Sequence, residues 1–259
     1  MKAVVITNPG DPGVLEVQEV EELEFKDDEV LVQIEAAALN RGDIYQRQGF
    51  YSPPEGVGTY PGLECSGIIK SVGENVSRWK VGDKENSEID LQETQKSTVF
   101  NDTASLPEVA CTVWSNVFML CPGETLLIHG GSSGIGNEVK SAFCKDLGAD
   151  VCINYKTNDF VARVRRNQEA KADAMNGFVA ELNMGAMLAK RLSIQGTALG
   201  TSVEEKAAIV NEVEKNVWPA IISGKVKPVI YQQFPLGEAA EAHRLMESGN
   251  HIGKILLIP

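Results

Sequence analysis

The spacing of apolar and polar positions changes character several times along this chain. Over the first 84 residues the apolar runs are short and separated by Pro, Gly and Asp: Ala3–Ile6, Leu15–Val20, the alternating Val30-Leu-Val-Gln-Ile-Glu35, and Gly67–Gly73. Runs of that length, bounded by turn residues, predict strands, with Gly82-Asp83-Lys84 closing the last hairpin. From Glu85 to Ser105 the sequence is polar and acidic, with little alternation to hold it against a core, so a loop or linker is expected. Pro107–Leu120 shows helical apolar spacing behind a proline at its start, and Cys121-Pro-Gly-Glu124 turns into the apolar run that begins at Thr125.

After that run the pattern alternates between helix-like and strand-like segments. Val139–Leu147 reads as a helix with Gly148 at its C′ position, and Ala149–Tyr155 reads as a strand expected to lie beside Leu126–His129. Asp159 fits the cap of a helix running to Arg166. Asn167–Met187 has helical spacing and no strand-like run. Arg191–Thr197 is a further expected strand, Glu204–Trp218 an amphipathic helix, Val226–Tyr231 a β segment, Leu236–Met246 a helix, and Gly253–Ile258 a final strand. The whole reads as α/β: a β-rich beginning and end around an alternating middle.

Composition narrows the class. With 259 residues and 43% apolar content the chain can bury a core in one large or two ordinary domains. Its formal charge of −12 repels phosphate backbones and anionic headgroups, so neither nucleic acid nor a membrane is an expected partner. Cys65, Cys111, Cys121, Cys144 and Cys152 form no Cys-x-x-Cys pair and leave an odd count, which fits reduced thiols and a cytoplasmic location. The N-terminal apolar stretch is too short for a secretory signal.

The most specific chemistry lies in Thr125-Leu-Leu-Ile-His-Gly-Gly-Ser-Ser-Gly-Ile-Gly136. A strand, a glycine-rich turn and a helix start form the phosphate-binding unit of dinucleotide folds. The glycines let backbone approach a pyrophosphate, and free N–H groups at the helix start meet its charge. A tight turn without ligand explains the same glycines. The turn also matches short-chain dehydrogenases, but no tyrosine in the chain has a lysine four residues later, so that family's proton-transfer pair is absent.

Several motifs then occur in one order: Ala38-Leu-Asn-Arg-Gly-Asp43, Tyr60-Pro-Gly-Leu-Glu-Cys-Ser-Gly67, Val72-Gly73, Val81-Gly-Asp83, the glycine turn, Cys152-Ile-Asn-Tyr155, and Asn250-His-Ile-Gly-Lys-Ile-Leu-Leu257. This order resembles the quinone oxidoreductases, the zinc-free, zeta-crystallin-like branch of the medium-chain dehydrogenase/reductases. The resemblance runs over Met1–Lys84, Leu106–Gly136, Gly148–Val164 and Leu188–Pro259; between these stretches the chain is shorter than the family.

The resemblance implies a GroES-like β-rich catalytic domain, residues 1–105 and 226–259, around a shortened Rossmann-type nucleotide-binding domain, residues 106–225. It implies NADPH-dependent reduction of quinones or α,β-unsaturated carbonyls by hydride transfer without metal. The alternative is a shortened, non-catalytic form acting as a binding or dimerising partner. Relatives are commonly dimers, so a homodimer is expected. Zinc-dependent relatives place a cysteine where this chain has Asn40 and a histidine where it has Leu63. Glu64 alone cannot supply a zinc donor set, and His129, His243 and His251 are scattered, so no metal is expected.

By the same resemblance Asn40, Asp43 and Tyr51 line the nicotinamide and substrate cleft. Their alternative roles are turn capping for Asn40 and Asp43, and loop packing for Tyr51. Cofactor contact falls to Gly131, Ser132, Ser133, Gly134, Ile135 and Gly136, with Tyr155 and Lys156 near the 2′-phosphate. NADP is therefore expected over NAD, against the alternative that Lys156 is a solvated residue at a strand end.

Overall fold

The computed structural model describes residues 1–51, 59–86, 89–90, 100–117, 125–128, 138–152, 170–173, 184–185, 188 and 203–259. In chain order the elements are β1 (Lys2–Ile6), β2 (Leu15–Glu19), β3 (Val30–Ala38), α1 (Arg41–Arg47), β4 (Glu64–Val72), β5 (Lys84–Asn86) and β6 (Ile89–Asp90). There follow α2 (Phe100–Thr103), α3 (Pro107–Val117), β7 (Thr125–Ile128), α4 (Glu138–Asp146) and β8 (Ala170–Asp173). The chain ends with α5 (Val203–Asn216), α6 (Trp218–Ile222), β9 (Ile230–Pro235), α7 (Ala239–Ser248) and β10 (Lys254–Ile258).

Both ends of the chain build one sheet, in the order β6-β5-β4-β3-β10-β9. The C-terminal strand β10 lies between β3, to which it is antiparallel, and β9, to which it is parallel. Its Ile255, Leu256 and Leu257 are buried in succession, the continuous apolar run that a strand covered on both faces requires. Gly67 in β4 makes the neighbouring pairing possible, because a Cβ there would stand 2.1 Å from the Gln33 carbonyl oxygen of β3. Ile255 and Leu257 join Val4, Leu15, Leu39, Phe234, Ala239 and Ala242 in one core, so β1, β2 and α7 are packed on this sheet.

A second core forms from α3, α5 and α6 through Leu106, Ala110, Cys111, Val213, Trp218 and Ile221. Beyond it β7 pairs in parallel with β8, and parallel strands need a crossover between them. Helix α4 follows β7 in the chain. Its buried Lys140 donates a hydrogen bond of 2.6 Å to the Gly249 carbonyl, at the left-handed end of α7, and so ties this part to the sheet formed by the chain ends.

Three expectations need correction. The run Ala149–Tyr155 is not the described neighbour of β7: Ala149–Cys152 are outside any strand, Ile153–Tyr155 lie outside the described residues, and Ala170–Asp173 pairs with β7. Those four residues fall in the stretch expected to lack strands. A short segment without strong propensity becomes a strand when a partner supplies the hydrogen bonds, a contribution that spacing does not report. The polar stretch 85–105, expected as a loop, contains β6, the end of β5 and α2, and its Thr103, Ala104 and Ser105 are buried. The segments expected at 159–166 and 191–197 lie outside the described residues.

Candidate functional site

Strand β3 ends at Ala38 and α1 begins at Arg41, so Asn40 sits at the turn between them. It is the N-cap residue, with extended backbone angles (φ −127°, ψ 163°). Asp43, in the first turn of α1, accepts the backbone N–H of Asn40 through Oδ2 at 2.7 Å. That contact satisfies an amide at the start of the helix and places a carboxylate where the helix dipole favours it. The capping role and the proximity of Asn40 to Asp43 are therefore both present.

Two further residues complete the cluster. Glu64 opens β4 opposite Ala38, and Lys254 opens β10. The β3–β10 register pairs Leu256 with Ala38; continued by two residues, it sets Lys254 across from Asn40. The Lys254 ammonium donates to Asn40 Oδ1 at 2.7 Å and also to Glu64 Oε1. Asn40 Nδ2 donates to Glu64 Oε1 at 2.9 Å and to the Ala38 carbonyl at 3.4 Å. The second carboxylate oxygen of Glu64 accepts the Glu108 backbone N–H, in the first turn of α3, at 3.0 Å. Each buried polar group thus has a charged or dipolar counterpart.

Asp43 is the exception. Only 1% of it is exposed, and its Oδ1 has no hydrogen-bond partner among the described residues. Burial pushes its carboxyl up to about 7, with the neighbouring Glu64 and Glu108 charges adding to the rise; the Asn40 N–H and the Lys254 charge oppose it. The group is poised to gain or lose a proton near neutrality.

Tyr51 lies beyond the other end of α1, where its backbone N–H reaches the Tyr45 carbonyl at 3.2 Å. It is 42% exposed, and no hydrogen bond joins it to the Asn40 cluster among the described residues. Of the expected cofactor contacts, Gly131–Gly136, Tyr155 and Lys156 all lie outside the described residues. Their surroundings suit a dinucleotide: β7 ends immediately before the glycine turn, α4 begins immediately after it, and the sheet there is parallel.

Sequence reading gave Glu64 no part in the cleft and passed over Lys254 within a motif. The available signal was an acid at the head of the largely buried strand Glu64–Val72 and a lysine at the head of Ile-Leu-Leu-Ile, both unusual in buried strands.

Two family profiles match, "Alcohol dehydrogenase GroES-like domain" over residues 26–93 and "Zinc-binding dehydrogenase" over residues 171–257. The chain is 25% identical to the quinone oxidoreductase of Rattus norvegicus, with 100% of this chain and 98% of the relative covered. It is 24% identical to the chloroplastic NADPH-dependent alkenal/one oxidoreductase of Arabidopsis thaliana, covering 100% of this chain and 80% of that one. Among solved structures, the Escherichia coli quinone oxidoreductase complexed with NADPH superposes with a TM-score of 0.81 at 22% identity, covering 100% of this chain and 99% of that one.

Both profiles, and the quinone and alkenal/one oxidoreductases among the relatives, make the medium-chain dehydrogenase/reductase superfamily the one this chain is similar to. Its fold is the GroES-like plus Rossmann-type α/β arrangement of that superfamily. The alignment to the rat enzyme runs over 327 positions against 259 residues here, so at least 68 of them face gaps in this chain, which is internally short for the superfamily.

The name of one matching profile raises the question of zinc. An amide at Asn40 and an alkyl group at Leu63 offer no thiolate or imidazole, and both Glu64 oxygens are engaged, one of them by an ammonium. These residues do not fit a zinc ion. Among the described residues no group of three or more His, Cys, Asp or Glu could hold a metal.

Proposed function

We propose that this chain reduces quinones or α,β-unsaturated carbonyls with NADPH, without a metal. The observation that carries the reading is the Asn40–Glu64–Lys254 cluster, a hydrogen-bonded ion pair where zinc-dependent relatives place ligands, in a chain whose relatives include quinone and alkenal/one oxidoreductases. Bound NADPH supplies the hydride. The glycine turn 131–136 would cradle its pyrophosphate, and Tyr155 and Lys156 would stand near its 2′-phosphate.

Hydride arrival leaves negative charge on the substrate oxygen, and a nearby donor lowers the cost of forming it. In this chain Asn40, fixed by Lys254 and Glu64, lines the place where that charge develops. Tyr51, exposed on the loop after α1, would supply a phenol from the open side. Asp43, hydrogen-bonded to the Asn40 N–H and raised to about 7 by burial, takes up a proton and sheds its buried negative charge as pH falls below neutrality.

The sheet order supports assigning residues 1–105 and 226–259 to the catalytic lobe, since β9 and β10 complete the sheet begun by β3–β6. The core shared by α3, α5 and α6 supports assigning 106–225 to the nucleotide lobe. A cytoplasmic homodimer acting on a small molecule is the expected state. Among the described residues no helix is long and apolar enough to cross a membrane.

The internal gaps favour a second reading, a non-catalytic form that binds a partner or a full-length sibling. Calorimetric titration of the folded chain with NADPH and NADH separates the two. Preferential NADPH binding, followed by oxidation of NADPH on adding duroquinone or cyclohex-2-enone, supports the reductase. A folded chain that takes up neither nucleotide supports the second reading. Gly134→Val should abolish nucleotide binding by blocking backbone approach, and Tyr51→Phe should slow turnover without changing nucleotide affinity.

A further inference from the structure

We propose that Lys254 is a positioning residue for hydride transfer, its ammonium holding the Asn40 side-chain amide in a single orientation. The inference rests on the reductase reading and deepens it.

The hydrogen-bond valences of the cluster allow one arrangement. Asn40 Oδ1 accepts from the Lys254 ammonium, while Nδ2 donates to the Glu64 carboxylate and to the Ala38 carbonyl. Turning the amide by half a rotation would set its NH2 against the ammonium and its oxygen against the carboxylate. Both contacts would become repulsive, and Ala38 would lose its donor. A neutral side chain at position 254 would leave Oδ1 without its donor and the amide held through Nδ2 only, by the Glu64 carboxylate and the Ala38 carbonyl.

The ammonium is itself held. Glu64 binds it, and Glu64 is anchored by the Glu108 N–H of α3. Lys254 is also fixed at its root: Gly253, at φ +95°, lets the Lys254 N–H reach the Val229 carbonyl at 2.7 Å. Removing the ammonium also strips the buried Glu64 carboxylate of its counter-ion, so Lys254→Met carries a stability cost of its own that the readouts must separate from the loss of direction. What the lysine supplies is direction, fixed from three strands and a helix at once.

The test compares wild type with Lys254→Met, which keeps length and removes charge, and with Lys254→Arg, which restores a cation. Four quantities are read: thermal midpoint, NADPH affinity by calorimetry, duroquinone turnover with NADPH and 4-deuterated NADPH, and the Asn40 side-chain amide resonance. Asn40→Asp identifies that resonance by deleting it. In Lys254→Met, NADPH affinity should stay within about twofold while kcat falls by about ten- to a hundredfold, the range that misplacement of about 1 Å produces. The hydride isotope effect should rise, the Asn40 amide should shift and exchange faster, and Lys254→Arg should recover most of the turnover.

An unchanged kcat, an unchanged Asn40 resonance, or a loss of turnover that merely follows a loss of affinity and thermal stability would overturn the proposal. If the wild-type chain binds no NADPH and reduces no quinone, the reductase reading fails and the catalytic part of the proposal fails with it. The Asn40 resonance then decides separately whether Lys254 sets the amide: a shift in Lys254→Met supports that hold, and no shift rejects it.

Discussion

Arg47 and Glu247, 200 positions apart, form a two-pronged ion pair, with Nη2 to Oε1 at 2.5 Å and Nη1 to Oε2 at 3.2 Å. Arg47 closes α1 and is fully buried, while Glu247 lies in the last turn of α7. The pair joins the helix that carries Asp43 to the C-terminal helix. Removing Glu247 would leave the buried Arg47 guanidinium without this counter-ion.

Glu247→Ala should therefore destabilise the fold by about 3–5 kcal/mol, as expected for a buried charge stripped of its counter-ion. The exposed pair Glu241–Arg244 on the same helix provides the contrast: Glu241→Ala should change stability by less than about 1 kcal/mol. Urea denaturation of both variants checks this, and equal losses would refute the distinction.

Asp43 should make stability fall as pH rises. Its carboxyl goes from 3.8 to about 7 on folding, chiefly through burial, so the folded state binds the extra proton between those values. The stabilisation is complete below about pH 4 and is lost as pH rises through 7. The stability difference between wild type and Asp43→Asn should accordingly decline across this window, by at most about 4 kcal/mol. A difference that stays flat with pH would show that Asp43 titrates normally.

His243 acts in the opposite direction. Burial, aided by the Arg47 charge and opposed by Glu247, lowers its imidazole from 6.5 to about 4. Its contribution is complete above pH 6.5 and is lost as pH falls through 4, amounting to about 3 kcal/mol. His243→Gln should remove that part of the acid sensitivity, measurable as a lower midpoint pH for acid unfolding relative to its stability at neutral pH.

Gly253→Ala tests the root of β10. A Cβ at φ +95° is strained, and it would lie 2.1 Å from the Val229 carbonyl oxygen that accepts the Lys254 N–H. A loss of about 2 kcal/mol or more is expected, together with displacement of Lys254. Thermal unfolding measures the first effect and the Asn40 amide resonance the second.

The sequence by itself determined β1 to β4 and β10, the helices α3, α4 and α5, and the strand before and helix after the glycine turn. In each of these the residues' own periodicity and turn chemistry agree with the fold, so local sequence suffices. By contrast β9, at Ile230–Pro235, lies four residues later than the expected run Val226–Tyr231. The segment Ala170–Asp173 was not legible, because its strand state comes from pairing with β7. Nor was the cluster at Asn40. Asn40 and Asp43 are three residues apart and sit within one helix start, so their contact follows from local geometry. Glu64 and Lys254 stand 24 and 214 positions from Asn40, and they meet it only because β10 inserts beside β3 while β4 pairs on the other edge. Sheet order, a property of the closed fold rather than of any segment, decided which charges face Asn40.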